Sequence, residues 1–420
     1  MLSSSNDSDM FYYNVNMYGD GVSSSSYASY EDVRTQPLLR SPNDYLMSVI
    51  RFSIDASHIP LFVCNVIQNP NNLNDLNFTP YTVTLQYQLI KYTSNVIFIP
   101  DSRYDIVNLP MPPNPQYGQD NSTEYYYVYY YSSFIKMVNN AIESAYTQMS
   151  AANPGVFDNK PIPYFFYDPE LEKIRLVVPV TDINTNLNIY QTQYDNNGLP
   201  LYVVQPLDSV IFYVNSLLYK FFDGLKAFYV NTGYNSYPNF LIAIDDLGYN
   251  YYYPPKLNPS NQILDQVPTS FLQVGIYNYT ISPRFLIFTQ EFNMLGAWTS
   301  LSSIVFITRT IPIQPEFIPT LTTGSSASGS SARYIITDFV SDVTKIGEQR
   351  SRFVYNPTAQ YRYISLNSNL PLYKIDITMY WQDKNQNLYP LRITNGEINT
   401  VKLLFIKKSF LSSNNMILKK

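Results

Sequence analysis

Tyr81-Thr82-Val83-Thr84-Leu85-Gln86-Tyr87-Gln88-Leu89 sets apolar Val83, Leu85, Tyr87 and Leu89 against polar Thr82, Thr84, Gln86 and Gln88. Successive side chains of a strand point to opposite faces, so this two-residue period predicts a half-buried β-strand. Working outward, Ser48 to Ile54, Val96 to Ile99, Tyr125 to Tyr131, Ile174 to Val180 and Arg284 to Phe288 read the same way. Turn chemistry separates them, at Asp195-Asn196-Asn197-Gly198 and Asn395-Gly396, where residues tolerant of positive φ close hairpins. Near the C-terminus, Leu372 to Trp381, Leu388 to Ile393 and Ile398 to Ile406 are separated only by turns and predict a three-strand meander. Twenty-nine prolines add strand ends and loops rather than helices. The chain is read as mainly β.

Two stretches carry a helical period instead. Ile135, Val138, Ile142, Ala145 and Met149 recur at spacings of three and four behind Ser132 or Ser133 as N-cap, predicting a helix near 133–149. Behind Pro206, Asp208 and Ser209, the stripe Val210, Val214, Leu217, Leu218, Phe221, Phe222 and Leu225 predicts a second near 208–230. Both stripes read as core packed on a sheet. Residues 1–40 are rich in Ser, Asn, Asp and Tyr and read as a disordered or extended arm that could order on a neighbouring subunit. Thr322 to Ser331 reads as a flexible connector; its glycines lack the Lys-Ser/Thr ending of a phosphate-binding loop.

The inventory favours building over catalysis. The 420 residues hold 41 Tyr and 24 Phe against one histidine, His58, and one cysteine, Cys64. General acid–base work and metal ligation draw on residues that are scarce here, whereas tyrosine combines a large apolar ring with a hydroxyl suited to protein contacts. His58 sits in Ala56-Ser57-His58-Ile59-Pro60 without the spacing of a nucleophile elbow. Cys64 follows an apolar run, reads as a small buried residue and leaves no partner for an internal disulfide, so a reducing compartment is expected. Asp245-Asp246 is the best carboxylate pair, yet neighbours on a strand face opposite ways and a turn before Leu247-Gly248 is the simpler reading. Two distant carboxylates could still meet as a glycosidase pair. No catalytic, cofactor-binding or metal-ligating residue is assigned.

Net charge is −5, so nucleic-acid contact is expected, if anywhere, only through Lys402, Lys407, Lys408, Lys419 and Lys420. No apolar run approaches the roughly 20 residues of a membrane span, and Met1-Leu2-Ser3-Ser4-Ser5 does not open like a secretion signal. Tyr125-Tyr126-Tyr127-Val128-Tyr129-Tyr130-Tyr131 reads as a packed subunit contact or a half-buried strand, since Tyr on both faces fits a strand covered by neighbouring protein.

Several stretches together resemble the penton, or vertex, capsid proteins of the virophage, polinton-like virus and adintovirus group. They run from Ser41-Pro42-Asn43-Asp44-Tyr45 through Phe134-Ile135, Asn139-Asn140-Ala141-Ile142, Pro163-Tyr164-Phe165-Phe166-Tyr167-Asp168 and Val214-Asn215-Ser216-Leu217-Leu218. Later come Thr289-Gln290-Glu291-Phe292, Trp298, Ile311-Pro312-Ile313-Gln314-Pro315-Glu316, Tyr355-Asn356-Pro357-Thr358-Ala359-Gln360-Tyr361-Arg362 and Ile375-Asp376-Ile377-Thr378-Met379-Tyr380-Trp381. The resemblance implies a jelly-roll β-sandwich with an inserted domain, forming homopentamers at the five-fold vertices of an icosahedral virion. It implies contact with major capsid protein capsomers, with minor or cement proteins and with a host receptor or glycan. The expected division is an arm over 1–40, a shell domain over 41–115 and 285–410, an insertion carrying both helices over 116–284, and a tail over 411–420. The termini are expected to bind partners. The alternatives are a non-vertex capsid protein or a carbohydrate- or receptor-binding β-sandwich of the virion surface, using Tyr249-Asn250-Tyr251-Tyr252-Tyr253 as an aromatic platform.

Overall fold

A computed structural model describes residues 8–19, 25–67, 69, 71–72, 75–101, 124–157, 162–180, 210–230, 240–244, 251–252, 284–292, 298–318, 331–340, 352–355 and 362–411. From the N-terminus the strands are β1 (Met10–Tyr18), β2 (Ser25–Tyr27), β3 (Ser29–Val33) and β4 (Tyr45–Asp55). There follow β5 (Phe62–Val63), β6 (Phe78–Tyr87), β7 (Ile90–Ile97), β8 (Tyr127–Val128), helix α1 (Tyr131–Ala152), β9 (Tyr164–Asp168) and β10 (Lys173–Val180). Next come β11 (Ile211–Val214), helix α2 (Ser216–Phe222), β12 (Ala227–Tyr229), β13 (Phe240–Ile242), β14 (Tyr251–Tyr252) and β15 (Arg284–Thr289). The chain then forms β16 (Leu301–Ile307), β17 (Glu316–Ile318), β18 (Ser331–Arg333), β19 (Ile335–Val340), β20 (Arg352–Tyr355) and β21 (Ile364–Ser365). It closes with β22 (Lys374–Asp383), β23 (Leu388–Pro390), β24 (Arg392–Thr394) and β25 (Ile398–Lys407).

Two compact units result. The first joins Met1–Pro60 to Ser300–Lys420; the second is Leu61–Thr299. The division therefore falls at 60/61 and 299/300 rather than at 115/116 and 284/285. The reason is pairing: β6 and β7 join β11 and β13 in one sheet of the second unit, and β15 joins β10 and β9 in another.

The first unit is an antiparallel sandwich. One sheet runs β1-β25-β4-β20, with β21 also on β4; the other runs β19-β16-β22-β23, with β3 on β22. The sheets pack face to face through rings: Phe52 of β4 lies 5.3 Å from Phe306 and 4.6 Å from Phe339, and Phe339 lies 4.3 Å from Tyr355. The N-terminal segment is not a separate arm. Tyr13, Val15 and Met17 of β1 are buried while Tyr12, Asn14, Asn16 and Tyr18 face solvent, and β1 pairs with β25 from Met10↔Ile406 to Tyr18↔Ile398. The predicted meander also changes. Strand β23 returns on β22, but β24 pairs with β2, and β25 leaves to run between β1 and β4. Gly396, at φ +84, makes the turn, and the turn hands the chain from the β2-β24 pair to the sheet β1-β25-β4-β20.

The second unit has sheets β12-β13-β11-β6-β7 and β14-β15-β10-β9 and the pair β5-β8, with α1 packed against β6, β7 and β9. Strand β6 is central, so Thr82, Thr84 and Gln86 are buried along with Val83, Leu85 and Tyr87 rather than facing water. Thr84 Oγ1 meets Thr93 Oγ1 at 2.7 Å and Tyr213 donates to Gln86 at 3.3 Å, while Thr82 Oγ1 is buried without a partner among the described residues. Leu89 leaves the strand and lies exposed in a turn at φ +72.

Helix α1 forms over 131–152 with Tyr130, not Ser132 or Ser133, at its N-cap. The second predicted helix shrinks. Val210 to Val214 is an unbroken apolar run that fits either period, and its residues from Ile211 take the strand β11. Asn215 then caps α2 by accepting from Leu218 N at 3.0 Å, and Gly224, at φ +94, follows its end. Residues 181–209, which include Asp195 to Gly198, and 319–330, which include all of the connector but Ser331, lie outside the described residues.

Candidate functional site: internal clamps and an assembly edge

The tyrosine run ends up inside. Tyr125, Tyr126, Tyr127, Tyr129 and Tyr131 are buried within the second unit and only Tyr130 is exposed. Glu124–Tyr126 is a 3-10 turn, β8 follows, and Tyr131 opens α1. Around it stands an aromatic web. Phe134 of α1 meets Phe62 at 5.1 Å, Phe221 at 4.8 Å, Trp298 at 5.6 Å and Tyr81 at 5.7 Å, spacings at which edge-to-face pairs add to plain burial.

Polar residues of the motif stretches serve as clamps between elements. Asn139 is fully buried on α1; its amide accepts from Phe165 N and donates to Phe165 O, both at 2.8 Å, which fastens the helix to β9. Gln290 accepts from Ile174 N at 2.8 Å and donates to Asp223 O at 2.7 Å. Asn215, besides its cap, donates to Pro80 O at 2.6 Å.

Carboxylates of the first unit do similar work. Asp376 accepts from Thr308 Oγ1 at 2.6 Å, Thr310 Oγ1 at 2.5 Å, and the Arg309 and Thr310 backbone amides at 2.9 Å each. Burial, the largest single influence, pushes its pKa up, but these four donors together outweigh it and hold the carboxyl below the ordinary aspartate value. Asp55 behaves alike: burial raises it, hydrogen bonds from Thr394 and Ser57 prevail, and the net direction is down. The donors belong to residues 308–310 around Asp376 and to Ser57 and Thr394 around Asp55, so both carboxylates tie neighbouring segments to their strands.

His58 and Cys64 belong to different units. His58 is half-buried in the turn after β4, and Cys64 is buried, its thiol pKa pushed up by desolvation. Asp245 and Asp246 lie outside the described residues, as do Tyr249, Asn250 and Tyr253; of that platform only the backbone of Tyr251–Tyr252 is described, pairing with β15. Lys402 covers the Tyr12 ring at 4.5 Å, Lys407 pairs with Asp9 at 3.1 Å and Lys408 donates to Asn43 O at 2.6 Å. These lysines are tied to the protein's own surface, and Lys419 and Lys420 lie outside the described residues. Among the described residues no group of three His, Cys, Asp or Glu is placed to hold a metal, and no helix is long and apolar enough to cross a membrane. A cleft of about 420 Å³ in the second unit is lined by Ile99, Tyr127, Val128 and Met137 with Asp101 and Lys136 at its polar side.

One accessible feature is a sheet edge. On β1, Met10, Tyr12, Asn14, Asn16 and Tyr18 are exposed, and the strand ends its sheet. Its inner side is latched to β3: the Tyr13 hydroxyl donates to Asp32 Oδ2 at 2.5 Å and meets the Tyr30 hydroxyl at 2.8 Å, while Arg34 Nε donates to the same Asp32 oxygen at 2.8 Å. The Tyr13 hydrogen bond first, then that of Arg34, lowers the Asp32 pKa. Sequence reading missed this cluster because Tyr13 and Tyr30 look like any other tyrosines of a polar segment; the alternation Phe11, Tyr13, Val15, Met17 was the available signal.

A jelly-roll sandwich whose polar groups are used to clamp its own loops and sheets defines a structural capsid protein. The chain belongs to the family described as Sputnik minor capsid protein V18/19, whose profile matches residues 11–407. It is similar to structural protein V19 of Sputnik virophage, 30% identical over 247 residues that cover 58% of this chain and 94% of that protein. Protein V18 of the same virophage is 34% identical over 128 residues, 30% of this chain and 75% of that protein. Among solved structures, a chain of the Sputnik virophage cryo-EM structure aligns at TM-score 0.73 and 30% identity, over 96% of this chain and 99% of that one. The mavirus penton protein aligns at TM-score 0.57 and 12% identity, over 95% of this chain and 100% of that one, a likeness of fold.

Proposed function

We propose that this capsid protein is the penton subunit, five copies of which meet at each five-fold vertex of an icosahedral virion beside major capsid protein capsomers. The observation that carries this reading is the end-to-end likeness of fold to a penton protein, covering 95% of this chain and 100% of that one. The first unit, 1–60 with 300–420, is the jelly roll of the shell in this reading, and the second, 61–299, is the insertion. A ring about a five-fold axis repeats one heterologous interface until it closes. The sandwich has unlike edges to offer such an interface, β1 at one end of a sheet and β20 at the other. The buried, lone Cys64 fits assembly in a reducing compartment of the host cell. Cement proteins and a receptor or glycan are further partners of this reading.

Native mass spectrometry of the purified full chain, with imaging of particles that contain it, tests the proposal. A five-subunit species and density at the vertices are the expected results. A stable monomer, or density confined to the faces of the shell, would overturn it.

A further inference from the structure

Strand β1 is nine residues long, Met10-Phe11-Tyr12-Tyr13-Asn14-Val15-Asn16-Met17-Tyr18, and it is the longest sheet edge among the described residues. A strand at an edge presents unpaired N–H and C=O groups, and natural proteins guard such edges with charge, proline or brevity. The other long edges here follow that rule: β7 carries Lys91, β3 carries Glu31 and Asp32, and β19 carries Asp338. Strand β1 carries no charge and no proline over its whole length. Left uncovered, it would pair indiscriminately.

The opposite edge of the same sheet is β20. Its one charge, Arg352, is already committed, donating to Ile398 O at 2.6 Å and to Glu397 at 3.3 Å. Val354, with no charge to repel a neighbour, is 66% exposed. At the other edge Asp9 is likewise paired, with Lys407. Each edge thus has its nearest charge paired within the chain, Asp9 with Lys407 and Arg352 with Glu397. Pairing β1 with β1 would be isologous and would stop at a dimer, whereas pairing β1 with a different edge is head-to-tail and can close a ring.

We propose that the outer edge of β1 is completed by the β20 edge of a second copy of this chain, strand added to strand, as the repeated contact of the ring. This rests on the pentameric reading above and names the surface it uses. Backbone hydrogen bonds supply the attraction in such strand addition, and alternate side chains set the register. Asn14 and Asn16 of β1 and Val354 of β20 are exposed on their strands, so they are the side chains within reach of one another across the junction.

Cysteine pairs in the full-length protein test this, because the native Cys64 is buried and silent toward cross-linking. Asn14→Cys and Asn16→Cys, each combined with Val354→Cys, sample two registers; oxidation is expected to give a ladder from dimer to pentamer on non-reducing gels in at least one pair. Each single variant is expected to stay uncross-linked. Pentamers by native mass spectrometry without a ladder in either pair would overturn this surface and leave the pentamer standing. A monomer throughout would overturn both. Dimers from Asn14→Cys or Asn16→Cys alone would show β1 pairing with itself, and cross-links from β1 to another capsid protein would show a different occupant; either overturns the proposal. A charge pair gives an independent reading at the same exposed positions. Asn16→Lys with Val354→Lys should weaken pentamer formation at least tenfold, and Asn16→Lys with Val354→Glu should restore it; equal pentamer yields in the two would overturn the contact.

Discussion

The two units are held together by different chemistry. The second is tied by rings: Phe62, Tyr81, Phe134, Phe221 and Trp298 meet at centroid distances of 4.8–5.9 Å. The first has ring contacts too, but its loops are tied by buried carboxylates, Asp376 on 308–310 and Asp55 on Ser57 and Thr394. Rings respond to volume and shape; carboxylates respond to protons. The contrast says that a substitution which empties space should hurt the second unit most, and that acid should hurt the first.

The largest expected effect is therefore a cavity in the web. Phe134→Ala removes a fully buried ring and should cost about 3–5 kcal/mol, read as a lowered denaturation midpoint. The two tryptophans make the comparison direct, because Trp298 lies in the second unit and Trp381 in the first. With Trp381→Phe as background, the emission of Trp298 should report the loss; a midpoint unchanged within error would show that the web is not what holds this unit.

Next comes Asp376→Ala, which removes an acceptor from two hydroxyls and two backbone amides, of which Thr310 N and Oγ1 keep longer bonds to Thr308 Oγ1 at 3.2 Å and Lys374 O at 3.4 Å. Leaving buried donors unpaired should cost roughly 2–4 kcal/mol, seen by the Trp381 signal in a Trp298→Phe background. Asp376→Asn keeps the acceptor oxygen but presents an NH₂ to a donor, so it should recover only part of the loss.

Acid extends the same contrast without a mutation. The carboxyls of Asp32, Asp55 and Asp376 all have folded pKa values below their ordinary one, and all lie in the first unit. A depressed carboxyl adds stability that is fully present above the unfolded pKa, about 3.9, and is lost as pH falls through the lower folded value. Titration from pH 6 to pH 2 should thus change the Trp381 emission at a higher pH than the Trp298 emission. The reverse order would break the comparison.

How much of this was legible in the sequence differs by element, for physical reasons. Strands β4, β10, β15, β22 and β25 were readable because their side chains sort by polarity. Strand β1 was not, because tyrosine occupies both faces: Tyr13 is buried and Tyr12 and Tyr18 are exposed, so polarity barely changes along it. The run Val210 to Val214 suits helix and strand equally, and the cap at Asn215 decides between them only once Leu218 N is seen to bond it. Pairing partners were out of reach. The Asn395-Gly396 turn promised a local hairpin, yet β25 pairs with β1 and β4 instead, since turn chemistry fixes a reversal and not the neighbour. As for the candidate surface, the run 125–131 suited subunit contact and half-buried strand equally; all of it but Tyr130 is core, and the accessible edge is marked by missing charge, which no motif records.

The smallest effect sharpens the contrast at the edge itself. Tyr13→Phe keeps the ring, which stands 6.4 Å from Tyr30, and removes only the hydroxyl that joins β1 to Asp32 of β3. One such bond to a charged acceptor is worth about 1.5 kcal/mol or somewhat more when buried, and less at a partly exposed carboxylate like this one, so a loss near 1 kcal/mol is expected. It should be local. Hydrogen exchange ought to quicken in Met10–Tyr18 and Ser29–Val33 while β6 and α1 of the second unit keep their protection. Arg34 still holds Asp32 at 2.8 Å in the variant's starting geometry, so the carboxyl should stay depressed, though less than before. If exchange instead rose evenly across both units, the latch would be a global stability element, and β1 would not be an edge that can loosen on its own.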